Sequence, residues 1–136
     1  MGQTFNHCSI EMLTKIWLNR PLIQLNNPLG GILRGYESIR DLYARIFNGA
    51  TKVWVEFEDI VEYFSGDTAI FAGPERGEFT IGDRIVPLKI RTSRYFQYSE
   101  NDGGWRQVHH HGSIDNVELL KTYQDAINGY GTTRLD

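Results

Sequence analysis

Ile10, Leu13, Ile16 and Trp17 fall three or four residues apart, the spacing that puts apolar side chains on one side of a helix. Ser9 is placed to cap that helix, and Asn19-Arg20-Pro21 to end it. Leu22, Ile23 and Leu25 then predict a short strand that runs into Asn26-Asn27-Pro28, followed by a turn at Gly30-Gly31. Tyr36, Ile39, Leu42, Tyr43, Ile46 and Phe47 form the best helical stripe in the chain, and Asn48-Gly49 suits a left-handed cap at its end.

From Lys52 the period falls to two. Val53, Val55 and Phe57 oppose Trp54, Glu56 and Glu58, and apolar positions continue over 60–64 to a turn at Ser65-Gly66-Asp67. Asp59 breaks the phase, which predicts a bulge in a long bent strand. Residues 68–72 pair back as a hairpin that residues 74–77 interrupt. Residues 85–98, rich in β-branched and aromatic side chains, continue through a loop at 100–104 into a strand over 105–113. Asp115 and Glu118 make a capping box for a last helix whose stripe is Val117, Leu120, Tyr123 and Ile127. The order is two helices with a small strand between them, a four-strand meander and a closing helix. It predicts an α+β fold in which helices gather on one face of a curved antiparallel sheet and leave a conical space between.

A chain of 136 residues has the length of one domain, with a core at about 9–128 and a loose tail from 130. The net charge of -3, with no run of Lys or Arg, gives no reason to expect nucleic acid or a membrane surface as partner. No apolar run is long enough to cross a bilayer, and the first residues have neither the basic nor the apolar region of a secretory leader. Cys8 stands alone, which excludes an intramolecular disulfide and fits a reducing compartment. The expected location is cytoplasmic.

The stretch Gly104-Trp105-Arg106-Gln107-Val108-His109-His110-His111-Gly112-Ser113 carries the most chemistry. Under strict alternation Trp105, Gln107, His109 and His111 share one face of a strand, opposite Arg106, Val108 and His110. Two imidazoles about 7 Å apart on that face could converge on a ligand. His-x-His is also a metal-ligand spacing, but no third ligand is evident in the sequence, so hydrogen-bonded pocket or interface histidines are the plainer reading. Arg91 and Arg94 lie at odd spacing on the preceding strand, so one of them faces the concave side. There it would be a fork for a ligand's carboxylate or polar oxygen, or half of an internal ion pair with Glu56, Glu58 or Glu62. A general base would be a carboxylate in an apolar pocket. Glu56, Glu58, Asp59 and Glu62 lie on the right kind of strand, though their alternation with apolar residues equally marks a solvated face.

The layout, with Asn27-Pro28-Leu29-Gly30-Gly31-Ile32-Leu33-Arg34-Gly35 and the 104–113 ending, resembles the nuclear transport factor 2-like superfamily in its SnoaL-like branch. The strand pair over 92–113 is also similar to the association domain of calcium/calmodulin-dependent protein kinase II, whose last-strand pattern is carried here by Trp105, Val108, His109, His111 and Ser113. The resemblance implies a cystatin-like α+β barrel, a cavity open at one end and a homodimer formed through the sheet. It also implies that Arg94 faces the pocket and Arg91 turns outward. Ketosteroid isomerase, the SnoaL cyclases and scytalone dehydratase in this superfamily use a buried carboxylate or histidine as acid/base. The expected function is therefore to bind a small organic molecule bearing a carbonyl or carboxylate. Arg94, His109 and His111 would make the polar contacts, and Arg91, Gln107, Tyr43, Trp54 and Trp105 are the other candidates for the lining. If there is turnover, it would be a cofactor-free isomerisation, cyclisation or dehydration with His109 or His111 carrying the proton, and no metal. The alternative is a non-catalytic association module.

Overall fold

The computed structural model describes residues 3–5 and 16–128. Most of the helix expected over 10–17, with its cap Ser9, and Cys8 and the tail from 130 lie outside the described residues. Among the described residues there are eight strands: β1 (Gln3–Phe5), β2 (Gln24–Asn26), β3 (Leu33–Arg34), β4 (Val53–Phe57), β5 (Val61–Ser65), β6 (Thr68–Ile81), β7 (Arg84–Ser99) and β8 (Gly104–Ser113). Among the described residues two longer helices, α1 (Tyr36–Phe47) and α2 (Val117–Ile127), lie between and after them in the chain. The sheet order is β1-β4-β6-β7-β8-β2-β3, and β5 pairs with β6 beyond the end of β4. The fold is α+β, with a curved, unclosed sheet.

The meander from β4 to β8 follows the expected order, and Asp59 does bend the first strand. Its φ of 51° separates β4 from β5, which lie one after the other along β6. The interruption expected at 74–77 is absent, because β6 runs unbroken past Pro74. In an antiparallel strand a residue's N–H and C=O point to the same side. The Pro74 carbonyl accepts from the Glu58 N–H at 3.1 Å, so the missing proline N–H faces the bend between β4 and β5, where the ladder is already broken. Gly73 and Gly77 allow the bent strand to pass close by. A Cβ on Gly73 would lie 2.9 Å from the Glu58 carbonyl oxygen, and one on Gly77 would collide with that of Trp54.

The sheet is not wholly antiparallel. Trp17 and then β2 run parallel to β8, with Trp17 opposite Gln107 and Gln24 opposite His109. Helix α1 buries Ile39, Leu42 and Tyr43 against Trp17, Ile23 and Leu25, as its stripe predicts. The left-handed cap expected after it is not formed, since Asn48 stays right-handed and donates its N–H back to Ala44. Helix α2 packs Tyr123 and Ala126 against Val55, Phe79, Leu88, Ile90 and Ile114, with the Tyr123 and Phe79 rings edge to face at 5.1 Å. Its cap is one residue later than expected: Asn116 Oδ1 accepts from the Leu119 N–H at 2.9 Å, and Val117 is left exposed. Both helices cover the inner face of the sheet and enclose the space beneath it.

The close approach at Gly77 gives a direct check. Gly77→Ala is expected to lower stability by about 2–3 kcal/mol, because backbone must move to admit the methyl. Gly66→Ala, at φ 57° with open space around it, should cost only about 1 kcal/mol. Urea unfolding of the two variants measures the difference; equal costs would contradict the packing described.

Candidate functional site

Alternation on β6 and β7 sends Glu75, Thr92 and Arg94 to the inner face of the sheet, and all three are buried. On β8 the alternation fails. Tyr95 pairs with His109 but Phe96 pairs with Gln107, so Val108 is an extra residue in the ladder. This bulge puts Gln107 and His110 together inside and turns His109 and His111 to the outer face. The expectation that His109 and His111 share the concave side with Gln107 is thus corrected, and the inward histidine is His110.

The inner groups form one cluster. Arg94 Nη2 lies 2.9 Å from Glu75 Oε2, and Arg94 Nη1 donates to Gln107 Oε1 at 2.9 Å. Thr92 Oγ1 donates to Glu75 Oε1 at 2.6 Å. The Arg94 guanidinium sits 5.7 Å from the centre of the Phe57 ring. His110 Nε2 is 3.7 Å from Glu75 Oε1, an electrostatic contact too long for a hydrogen bond. Beside them lies a cavity of about 50 Å³, whose lining includes Glu75, His110, Tyr43, Tyr123, Asn27 and Pro28. Among the described residues neither His110 nitrogen nor Gln107 Nε2 has a hydrogen-bond partner, although all three atoms are buried.

The charges are set by this packing. Burial pushes the Glu75 carboxyl up, but Arg94, His110 and Thr92 together outweigh it and hold the group well below the usual carboxylate range. Burial, helped by the Arg94 cation, pulls His110 down to about 4 against the opposing pull of Glu75, so the imidazole is neutral at neutral pH. Burial raises both Tyr43, where Arg94 partly offsets it, and Tyr123, so both phenols stay protonated. The cluster therefore offers a neutral imidazole, two phenol donors and a balanced ion pair around one small cavity.

The other sequence candidates are dispersed. Tyr43 lines the inner cavity, while Arg91 and Trp54 are exposed on the outer side of the sheet. Trp105 is half-exposed at the start of β8, 5.5 Å from the Tyr98 ring. Arg94 does form an internal ion pair, but with Glu75 rather than Glu56, Glu58 or Glu62. Glu58 instead pairs with Arg76 at 3.0 Å, and Glu62 is exposed. Glu75 lies in a stretch whose Pro74 and Gly77 resemble a strand break, and His110 faces inward only because the ladder is bulged at Val108. The three-residue gap from Gln107 to His110 leaves no mark in composition or hydropathy. Among the described residues no group of three or more His, Cys, Asp or Glu side chains could hold a metal ion, and no helix is long and apolar enough to cross a membrane.

Solved structures with this fold include a nuclear transport factor 2-like superfamily protein from Salmonella enterica, 19% identical, with TM-score 0.68 and 82% of this chain and 83% of that one covered. A ketosteroid isomerase-like protein from Erwinia carotovora is 18% identical, with TM-score 0.65 and 80% and 83% covered. The calcium/calmodulin-dependent protein kinase II hub of S. rosetta is 20% identical, with TM-score 0.64 and 78% and 82% covered. At these identities the likeness is one of fold. No curated protein matches the chain. The model of the SnoaL-like domain matches residues 1–116, and on that match, which takes in every residue of the inner cluster except Tyr123, the chain belongs to the SnoaL-like domain family.

Proposed function

We propose that this protein binds a small carbonyl compound inside the cone and performs cofactor-free acid/base chemistry on it, an isomerisation, cyclisation or dehydration. The observation that carries this reading is the buried, neutral His110, with both ring nitrogens unpartnered beside the Glu75 carboxylate at the edge of a cavity that Tyr43 and Tyr123 also line. A neutral imidazole accepts a proton. The imidazolium that forms is stabilised by Glu75 at 3.7 Å, an interaction that strengthens as charge develops. The phenol of Tyr123, which lines the same cavity, is a donor to a carbonyl oxygen. The inner ion pair is already balanced, which favours a neutral carbonyl ligand over a carboxylate.

The cavity limits the ligand to a few heavy atoms, since a volume of about 50 Å³ holds little more than water. A larger ligand needs the Asn27–Pro28 segment to shift; it lines the cavity and is tied to α2 by the bond from Gln124 Nε2 to the Pro28 carbonyl at 2.9 Å.

A second reading, self-association through the outer face, has its own support. Trp54, Val61 and Tyr63 are 43%, 53% and 58% exposed along β4 and β5, and one fold relative is a hub domain. Under this reading Tyr63→Glu should convert a dimer to a monomer in light scattering, and a wild-type monomer at micromolar concentration would end it.

Two measurements test the interior reading. In a thermal-shift series with small ketones and hydroxyketones, stabilisation should appear in the wild type and in His111→Gln and be lost in His110→Gln. An equal response in both variants would overturn it. The pH dependence follows from His110. Unfolded chains take up this proton below about pH 6.5, whereas the folded chain resists it until about pH 4. Stability should therefore fall by about 1.4 kcal/mol per pH unit across that window on account of this group. Glu75 adds a loss of the same sign only below its unfolded value of about 4.3. His110→Gln should flatten the decline in urea unfolding between pH 6.5 and 4.5, and an unchanged slope would show that His110 is not held neutral.

A further inference from the structure

We propose that the outer face of the sheet carries a second site, an oxyanion-binding groove formed by Arg91, Ser93, His111 and Ser113 that takes the phosphate group of a small phosphorylated molecule. The β7–β8 ladder pairs Ser93 with His111 and Arg91 with Ser113, so the four residues form two adjacent cross-strand pairs. Cross-strand Cβ atoms lie about 5 Å apart and diagonal ones about 7–8 Å, which brings all four polar ends within reach of one tetrahedral anion. They border a groove of about 500 Å³ on the side opposite the inner cluster.

Arg91 differs from the ion-paired arginines of the chain. Arg20, Arg76 and Arg94 each meet a carboxylate at 2.9–3.0 Å, whereas Arg91 has no ion pair among the described residues. Its cross-strand partners are Pro74 and Ser113, and its neighbours on the same face of β7 are Lys89 and Ser93, so none of the four is acidic. His109 extends the face, its ring centre 6.4 Å from that of His111. A chain of net charge -3 thus concentrates uncompensated donors at one place on its sheet.

The donors suit phosphate better than carboxylate. A guanidinium fork, two hydroxyls and an imidazole N–H supply more donors than a two-oxygen carboxylate can use, while a phosphate presents three free oxygens in several directions. Ala72, Gly73 and Pro74 on the β6 side of the groove carry no charge and leave room for an organic remainder. The groove does not depend on the interior reading, because Arg91 and Arg94 lie on opposite faces of β7.

The test is an NMR titration of the full chain with inorganic phosphate and with phenyl phosphate, at constant ionic strength kept by chloride. Saturable shifts are expected at the amides of Arg91, Ser93, His111 and Ser113 and at the His111 ring, with phenyl phosphate binding at least as tightly as phosphate. Arg91→Ala should weaken binding by about tenfold or more, the loss expected on removing a charge-assisted fork. Arg84→Ala, which removes the same charge from the exposed start of β7, should leave binding unchanged. Equal weakening by both variants, shifts without saturation, or no shifts from a dimer that covers this face would each overturn the proposal. None of these results bears on ligand binding at His110.

Discussion

The Arg94–Glu75 ion pair is the constraint on which the interior depends. Both side chains are buried in the sheet's concave face, where the loss of water costs several kcal/mol per ion before any attraction is counted. The structure answers that cost with geometry. Gln107 takes one guanidinium N–H and Thr92 donates to the carboxylate, so strands β6, β7 and β8 are tied together by charge-assisted bonds as well as by their ladders. Removing either ion alone would leave the other buried and unpaired, a loss of about 3–5 kcal/mol. A shape-matched apolar replacement of both could be neutral for stability, so stability alone is a weak reason for the pair to exist.

Its effect on His110 is a stronger reason. Arg94 and burial act together to keep the imidazole neutral, and Glu75 acts against them without prevailing. A carboxylate placed alone beside this histidine would favour its protonated form, and a cation alone would offer nothing to stabilise the imidazolium. The pair does both, keeping the resting group unprotonated while placing a negative oxygen 3.7 Å from the nitrogen that would gain charge. Glu75 cannot itself be the proton acceptor at neutral pH, since its proton affinity is spent on Arg94 and Thr92.

Much of the fold could be read from periodicity, because periodicity reports which face is buried. The stripe of α1, the meander and the bend at Asp59 all follow from apolar spacing and from one residue out of phase. Local features that depend on hydrogen bonds across the sheet could not be read in this way. Pro74 looks like a strand breaker until the bend opposite it removes the need for its N–H. Val108 has no sequence mark of a bulge, since the insertion is defined by the partner strand's register rather than by its own neighbours. The candidate site is legible in part for the same reason: Arg94, Gln107 and Tyr43 lie inside as alternation and the helical stripe place them, whereas the bulge exchanges His110 for His109 and His111 on the inner face.

That single extra residue separates two chemistries on one strand pair. Without the bulge, Gln107, His109 and His111 would share a face and His110 would point away from them. With it, β8 delivers one histidine to a buried, charge-balanced interior and two to the outer face beside Arg91. On β7 the odd spacing of Arg91 and Arg94 makes the same division by simple alternation. The two arginines then differ in environment rather than in type: one has its charge balanced by a buried carboxylate and helps keep His110 neutral, the other borders a groove whose lining holds no acid. The sheet between them is one residue thick, yet its inner charges are buried and its outer ones exposed, so the inner charges interact at lower dielectric and the outer ones are screened by solvent.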